Sequence, residues 1–409
     1  MKKYIGLLSL LFIFLLSACQ EETLVKSQKT ILVFDTIVTV DLYGTPDTDF
    51  DTIKREVETI LDEVHTLSTK YDAYEGVNNV KTLNDNPGEA IIVDPMIIDM
   101  IKLSIESYND PLTQGKFNIA IGEVLKIWSS YRDDCLSLSS PVCEIPDQSE
   151  LLNAASNTDP NNIIIDEEAS TVTIPEGMSI DLGGFAKGYG SKLVSDYLRT
   201  QDLSAYQVNA GASNVEFYGP HPSATRDHWI GSLRNPMDTS TYYALVRVNS
   251  GQNIVTSGDY ERFFVVDDVS YHHIIDPDDF YPPNHTRTAT VISEDPALGD
   301  LYSTIIFLLE VDDALTFINS LDEVEAVIVT EDGKAHFSEN FIENHLHSLR
   351  IETDYDLSEM QEIEPLTPED EGINSITLTL IITFGLIVAG FIAVSIKEKR
   401  KQQKENQDV

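Results

Sequence analysis

The sequence predicts an α+β fold, because its helical and strand patterns are mixed without regular alternation. Apolar residues recur at helical spacing in three separate segments, 51–67, 94–108 and 188–198. Between residues 206 and 291, strand patterns dominate. A regular βαβ order would instead predict a parallel sheet with helices on both faces, and the chain does not have that order.

The remaining elements are assigned in chain order. Residues 31–43 alternate apolar and polar side chains, with Val38, Val40 and Leu42 on one face, which predicts a strand. Helices are also predicted at 300–309 and 313–320. Further strands are predicted at 215–218, 242–248, 262–266 and 289–293, with a last strand at 326–330. Residues 31–350 are therefore predicted to form one folded domain.

The first 18 residues have the pattern of a bacterial lipoprotein signal. Two lysines precede an apolar run, and Leu16-Ser17-Ala18-Cys19 follows it. This pattern predicts cleavage before Cys19 and a diacylglyceryl anchor on the Cys19 thiol, with residues 19–30 as a lipidated tether. The alternative is an ordinary signal peptide, or an uncleaved anchor, that happens to contain a cysteine.

A second membrane segment is predicted near the C-terminus. Residues 375–396 contain no charged residue, and at about 1.5 Å of rise per residue they can cross a bilayer as a helix. The basic tail 397–409 places that end in the cytoplasm and everything before the helix outside. The acidic residues 351–374 are predicted to form a stalk. A buried core helix is the alternative for 375–396.

The segment between the two predicted anchors is strongly acidic. The whole chain has a formal net charge of −41. Without the leader and the tail, the charge is roughly −45. Such a charge argues against nucleic acid and anionic lipid headgroups as partners. A phosphate-rich ligand would need a metal ion to balance this charge.

Three cysteines occur in the chain. With Cys19 assigned to the lipid anchor, Cys135 and Cys143 remain as a pair in a loop-like stretch. Outside the membrane, such a pair favours a small disulfide loop, and two free thiols are the alternative. A zinc site is not favoured, because no histidine lies near the two cysteines.

Two motifs contain glycines beside charged residues. The motif at 181–188, Asp-Leu-Gly-Gly-Phe-Ala-Lys-Gly, directly precedes a helical pattern. Paired glycines let the backbone approach a ligand closely, and a helix N-terminus favours phosphate. The motif matches neither the P-loop nor the dinucleotide-binding fingerprint. The second motif, 256–262, is Thr-Ser-Gly-Asp-Tyr-Glu-Arg, and it is predicted to end a loop and open a strand.

Two further motifs offer a base and metal ligands. His272 and His273 precede Ile-Ile-Asp-Pro, and a histidine here can act as a base or bind a pyrophosphate. Asp300 and Thr304 are four residues apart at a predicted helix start, so they share one face. Their oxygens suit Mg²⁺. The same pattern is also typical of an ordinary helix N-cap.

The order of these motifs resembles the ApbE family of FAD:protein FMN transferases, over about residues 33–340. Besides the motifs above, the resemblance rests on Phe34-Asp35-Thr36, Leu67-Ser68, Tyr71-Asp72, Leu83-Asn84, Gly115-Lys116-Phe117-Asn118, Gly122, Trp128 and Asn209-Ala210-Gly211. It implies a single flavin transferase domain of helices and mainly antiparallel strands. Asn118 departs from the usual Asp, and Asp278-Asp279-Phe280 stand where the family usually has a basic residue and Thr-Gly.

The resemblance also implies a reaction and a site. FMN would pass from FAD to a Thr or Ser hydroxyl of an extracytoplasmic protein, and AMP would leave. Mg²⁺ would be held by the Gly184 carbonyl, Asp300 and Thr304. His273 is the candidate base, oriented by Asp276. The implied flavin-binding residues are Phe34, Tyr71, Lys116, Phe117, Asn118, Asp181, Lys187 and His273.

The same residues are compatible with two other activities. With water as acceptor, the site would hydrolyse FAD to FMN and AMP. A flavin-binding lipoprotein without catalysis is the third possibility. The expected partners are membrane electron-transfer proteins that carry a Thr/Ser flavinylation motif. This chain contains no such motif, so self-flavinylation is not expected.

Overall fold

The computed structural model describes residues 24–137, 141–223, 226–351 and 353. All of them belong to one compact unit. The predicted leader with Cys19, the membrane helix, most of the acidic stalk and the basic tail lie outside the described residues. Within the described ranges, no helix is long and apolar enough to cross a membrane.

The strands of the described residues form one large antiparallel sheet and three small ones. They are β1 (Val25–Val33), β2 (Thr36–Gly44), β3 (Ile91–Ile92), β4 (Ile164–Asp166), β5 (Thr171–Thr173), β6 (Ala205–Ala210), β7 (Asn214–Tyr218), β8 (Trp229–Arg234), β9 (Tyr242–Val248), β10 (Asn253–Gly258), β11 (Phe264–Val266), β12 (Val269–Tyr271), β13 (Thr286–Ser293), β14 (Glu325–Thr330), β15 (Ala335–Phe337) and β16 (Leu346–Leu349).

The large sheet has the strand order β1-β2-β6-β7-β10-β13-β14-β15, and its neighbouring strands are antiparallel. The small sheets are β16-β9-β8, β3-β5-β4 and the hairpin β11-β12. The predicted α+β class with antiparallel strands is therefore confirmed. The strand predicted at 326–330 is β14, but it is not the last, because β15 and β16 follow it.

The described residues form nine α-helices. They are α1 (Phe50–Ser68), α2 (Val80–Asp85), α3 (Pro95–Asn109), α4 (Gly122–Cys135), α5 (Gln148–Ala154), α6 (Ala186–Leu198), α7 (Pro296–Leu308), α8 (Val311–Asn319) and α9 (Phe341–Asn344). Helices α1 and α6 share an apolar core with β1, β2 and β6. Helices α3, α7 and α8 share another with β13 and β14. The three amphipathic segments predicted from spacing correspond to α1, α3 and α6.

The predicted strand at 31–43 is in fact a hairpin of two strands. Strands β1 and β2 are joined at Phe34 and Asp35, whose φ angles are +54° and +55°, as in a type I′ turn. Strand β1 starts at Val25, inside the segment assigned to the tether. Its residues alternate between half-buried and exposed, and it lies at the sheet edge. A polar edge strand has little apolar periodicity, so the sequence pattern missed it.

Helix α7 begins earlier than the sequence pattern predicts. Asp295 is its N-cap, because the Asp295 carboxylate accepts hydrogen bonds from the backbone N–H groups of Ala297 and Leu298. Pro296 occupies the first helical position, where proline is favoured. Asp300 therefore lies inside the helix and not at its start, so it is free for a role other than capping.

A close contact joins the start of α6 to α7. A Cβ atom on Gly188 would lie 2.3 Å from the Pro296 carbonyl oxygen and 2.5 Å from the Asp300 Cβ. No larger residue fits there without moving one of the helices. Glycine at 188 therefore sets the distance between the start of α6 and helix α7, which contains Asp300 and Thr304.

We predict that Gly188→Ala lowers the free energy of unfolding by about 1–3 kcal/mol, because the added methyl group overpacks a backbone contact. Urea unfolding followed by circular dichroism measures the change. Lys192→Ala, on the exposed side of the same helix, is the control and should stay within about 0.5 kcal/mol of the parent. Equal midpoints for the two variants would contradict the contact.

Candidate active site

The motif at 181–188 forms an exposed turn that leads into α6. The Asp181 carboxylate accepts a hydrogen bond from the Gly183 N–H at 2.7 Å. The Asp181 N–H donates to the Ile119 carbonyl at 2.9 Å. Gly183 and Gly184 are exposed. The turn is therefore fixed at Asp181, and the glycine backbone after it is open to a ligand.

Asn84 holds the segment that leads into this turn. Its side-chain amide donates to the Ile180 carbonyl at 2.9 Å, and its side-chain oxygen accepts from the Ile180 N–H at 2.8 Å. A side-chain amide thus takes the place of a neighbouring strand. The Leu83-Asn84 element of the resemblance therefore has a structural role, which is to position Asp181.

Lys70 is a site residue that sequence reasoning missed. Its ammonium lies 2.6 Å from the Asp181 carboxylate and 5.3 Å from the centre of the Tyr71 ring. The two paired side chains are only 11% and 17% exposed. Burial alone would lower the pKa of Lys70, but Asp181 and Tyr71 outweigh burial and raise it. A single lysine beside a tyrosine has no local pattern that predicts this pairing.

Asp300 and Thr304 contact the start of α6 and the end of β10. The Asp300 carboxylate accepts a hydrogen bond from the Gly188 N–H at 2.8 Å. The Thr304 hydroxyl lies 3.4 Å from the Ser257 hydroxyl. Burial raises the pKa of Asp300, while Lys187 and the Gly188 N–H oppose that rise. Ser257 belongs to β10, so the motif 256–262 ends a strand and does not open one.

The oxygen atoms of the three assigned metal ligands are of the type that fits a hard divalent cation. The Asp300 carboxylate, the Thr304 hydroxyl and the carbonyl of exposed Gly184 are the donor type that Mg²⁺ prefers. Among the residues that the structure describes, no three or more His, Cys, Asp or Glu side chains are arranged so that they could hold a metal ion by themselves. A cation here would have one carboxylate ligand, with water or substrate phosphates completing its shell. This set suits Mg²⁺ better than zinc.

The two adjacent histidines have different environments. His272 is buried, its Nε2 lies 2.8 Å from the Pro283 carbonyl, and its Nδ1 accepts from the Ile274 N–H. His272 is therefore part of the fold. His273 has its Nδ1 3.1 Å from the Glu261 carbonyl. A carbonyl can only accept, so this bond assigns the proton to Nδ1 and leaves the Nε2 lone pair of His273 available.

His273 is held in its neutral form. The residue is exposed to solvent on one side, while protein atoms on its other sides remove part of the hydration of the ring. This desolvation, together with the charge of Arg262, the neighbouring His272 and the charge of Lys187, lowers the pKa of His273 to about 3. A neutral imidazole with a free Nε2 can accept a proton from a hydroxyl group.

Asp276 does not orient His273, and the sequence-based expectation on this point is wrong. Both Asp276 carboxylate oxygens accept from the Lys116 ammonium, at 2.9 and 2.8 Å. Lys116 also contacts Asp278 at 2.7 Å. An ammonium is a stronger partner for a carboxylate than a neutral imidazole is. The orienting contact for His273 comes instead from the Glu261 carbonyl.

The aromatic residues that the resemblance assigns to the flavin differ in their exposure to solvent. Phe34 is buried edge-on against His65, and Phe117 is buried edge-on against Phe185. Tyr71 is 62% exposed. Phe34 and Phe117 therefore support the site from the core, and Tyr71 is placed to contact a ligand ring directly. Their flavin contacts stay predictions.

Asn118 uses its side chain within the fold. Its oxygen accepts from the Ala120 N–H at 2.8 Å, and its amide donates to the Thr158 carbonyl at 2.9 Å. An aspartate could make the first bond but could not donate the second. The replacement of the usual Asp by Asn118 therefore adds a structural contact beside the site.

Comparison with known proteins agrees with this geometry. The sequence profile of the ApbE family matches residues 34–328. The chain belongs to the ApbE family. A Klebsiella pneumoniae protein named FAD:protein FMN transferase is 34% identical over 218 residues, which cover 53% of this chain and 63% of that protein. The match thus spans less than two thirds of that relative.

Two further ApbE relatives match over longer segments. A Treponema pallidum protein of the same name is 28% identical over 306 residues, which cover 70% of this chain and 82% of that protein. The crystal structure of the ApbE protein from Thermotoga maritima superimposes with a TM-score of 0.67 at 27% identity. That superposition covers 78% of this chain and 98% of the other. The described domain therefore has the ApbE fold.

We predict that Lys70→Met destabilises the domain by about 3 kcal/mol, because it leaves the Asp181 carboxylate buried without its cation. Urea unfolding at neutral pH measures the loss. Lys102→Met removes a lysine from an exposed pair with Glu167, whose side chains are 49% and 67% exposed, and it should cause no measurable change. A Lys70→Met variant as stable as this control would contradict the buried pairing.

We predict that His273 stays neutral down to about pH 4, whereas an ordinary histidine titrates near pH 6.5. The imidazole resonance that disappears in His273→Gln identifies the residue by NMR, and it should not shift between pH 8 and pH 5. The unfolded chain binds this proton near pH 6.5 and the folded chain does not, so His273 lowers stability as the pH falls below that value. Titration near pH 6.5 would contradict the assigned surroundings.

Proposed function

We propose that the chain is an FAD:protein FMN transferase. An acceptor Thr or Ser hydroxyl attacks the FMN-side phosphorus of FAD, the phosphoanhydride bond breaks, and AMP leaves. Family membership supports this reaction, because relatives in the ApbE family carry that name. The observation that carries the chemistry is the neutral His273, whose Nε2 lone pair is available while cations stand nearby.

His273 accepts the proton of the attacking hydroxyl. Its pKa of about 3 describes the protein without substrate, where desolvation and the cations Arg262 and Lys187 disfavour the imidazolium. The FAD pyrophosphate brings negative charge next to these cations, and that charge raises the pKa of His273 towards the value a general base needs. The proton transfer therefore becomes favourable when substrate is bound.

We assign Mg²⁺ to the Gly184 carbonyl, Asp300 and Thr304. When bound, the ion supplies positive charge that balances the charge developing on the pyrophosphate. The Gly188 N–H holds the Asp300 carboxylate, and the Ser257 hydroxyl lies beside the Thr304 hydroxyl. The Asp300 and Thr304 oxygens are thus held in place before the ion binds. The positive charge of the ion is important for binding a pyrophosphate, because the chain has a net charge of −41.

We further propose that the domain lies on the outer face of the cytoplasmic membrane. Lipid on Cys19 and a helix at 375–396 would tether it there, close to membrane electron-transfer proteins that accept FMN. The disulfide between Cys135 and Cys143 supports this location, because disulfides persist in oxidising compartments.

The assay that tests this function combines FAD and Mg²⁺ with the protein, with and without a folded acceptor domain that carries the Thr/Ser motif. AMP release together with a fluorescent flavin band on the acceptor supports transfer. AMP release without a labelled acceptor indicates the pyrophosphatase activity. Flavin binding without AMP indicates a capture protein and rejects both enzymatic functions.

We predict that Asp300→Ala lowers the transfer rate roughly 10³-fold or more, because the metal loses its one carboxylate ligand in the assigned set. Higher Mg²⁺, or Mn²⁺, should restore a small part of the rate. Single-turnover AMP release over a Mg²⁺ titration measures both effects.

Asp295→Ala is the matched control on the same helix. It removes the N-cap of α7 and should lower stability by about 1 kcal/mol while leaving the transfer rate unchanged. If Asp300→Ala transferred FMN at the parental rate with the parental metal dependence, the metal assignment would be wrong.

A further inference from the structure

We propose that the acceptor protein docks on the outer face of the β11–β12 hairpin and on the residues next to the Cys135–Cys143 disulfide. The docking face consists of Leu136, Val142, Phe263 and Val265. This inference rests on the proposed function, because only an enzyme whose second substrate is a protein needs such a surface next to its base.

The docking face is a cluster of exposed apolar side chains. Leu136, Val142, Phe263 and Val265 are 59%, 52%, 42% and 46% exposed. Exposed apolar residues that stand singly are normal on a protein surface, whereas a group on adjoining elements marks an interaction site.

The hairpin is fastened on one face and open on the other. Strand pairing places Phe264 opposite Tyr271 and Val265 opposite Ser270. Phe264 and Tyr271 pack on Trp128, with ring centres 6.2 and 5.7 Å from the indole. Since successive residues of a strand point to opposite faces, Val265 points away from Trp128. The hairpin is therefore held through its inner face, and Val265 lies on its outer face.

The disulfide places the loop against the hairpin. Cys135 is bonded to Cys143, and the Cys135 sulfur lies 4.0 Å from the Val265 carbonyl oxygen. Leu136 and Val142 are the chain neighbours of these cysteines, so they stand beside Val265. Leu136 and Val142 therefore extend the apolar surface of the hairpin.

The docking face is continuous with the proposed base. The hairpin leaves the site after Arg262 and returns to it at His272, and the His273 Nδ1 bond to the Glu261 carbonyl closes the base of the loop. A protein chain that rests on the hairpin therefore has a neighbouring residue within reach of His273. This continuity points to the acceptor segment as the occupant.

The backbone of the hairpin and the charge around it both restrict which partner can bind. Within the described residues, β11 and β12 pair only with each other, so an extended peptide can add a strand to the hairpin. Acidic residues border the apolar surface, namely Asp133, Asp134, Glu261, Asp267 and Asp268. The partner that fits is an extended segment with apolar residues and flanking Lys or Arg, next to its acceptor Thr or Ser.

The test uses the full-length chain with Leu136→Asp and Val265→Asp combined. The probes are a folded acceptor domain and a short peptide that contains only the Thr/Ser flavinylation motif. We expect the KM for the folded domain to rise roughly tenfold or more, because two apolar contacts become charged beside existing acids. The kcat, the Kd for FAD and the rate with the peptide should not change.

The matched control combines Ile92→Asp and Ile164→Asp. Both isoleucines are 66% exposed and lie on β3 and β4, in a different sheet. This variant should keep the parental KM. An equal KM rise in both variants, or no rise in the hairpin variant, would overturn the docking face. If the parental protein labels neither probe, the proposed function itself fails, which is a separate result.

Discussion

The contact between α6 and α7 at Gly188 is the constraint on which the candidate site depends. It brings a helix N-terminus, with its unpaired N–H groups and partial positive charge, against the buried carboxylate of Asp300. Burial disfavours this charge, and the Gly188 N–H and Lys187 compensate for part of that cost. A carboxylate held in this way keeps its ligand geometry without a bound ion, so the cation need not organise the site.

The charge around the candidate site is opposite in sign to the net charge of the whole chain. The molecule is strongly acidic, yet Lys70, Lys187 and Arg262 stand around the glycine-rich turn and the proposed base. Under the proposed function, these cations would attract a pyrophosphate into an acidic protein. Desolvation, together with the charges of Arg262 and Lys187, keeps His273 neutral in the protein without substrate. Binding of a pyrophosphate would then be coupled through charge to activation of the base.

The sequence predicted those features that have a local pattern. Helical spacing located α1, α3 and α6, and the order of short motifs indicated the family. The pairing of Lys70 with Asp181 has no such pattern, because it joins residues 111 positions apart. The assignment of Asp276 to His273 failed for a related reason: chain proximity suggested one partner, and the fold supplied Lys116 instead. Apolar periodicity does not reveal the edge strand β1 or the cap at Asp295, because both are formed by polar residues.

The segment from Ser257 to His273 takes part in three proposed functions, which are metal binding, proton transfer and recognition of the acceptor. Its first part ends β10 beside Thr304, and its last part contributes the proposed base. Between them, the hairpin packs on Trp128, and the Cys135 sulfur lies beside the Val265 carbonyl. A partner that binds the hairpin presses on the same segment that contributes the Glu261 carbonyl to His273. Because that carbonyl fixes the tautomer of the base, recognition of the acceptor and readiness of the base depend on one piece of backbone.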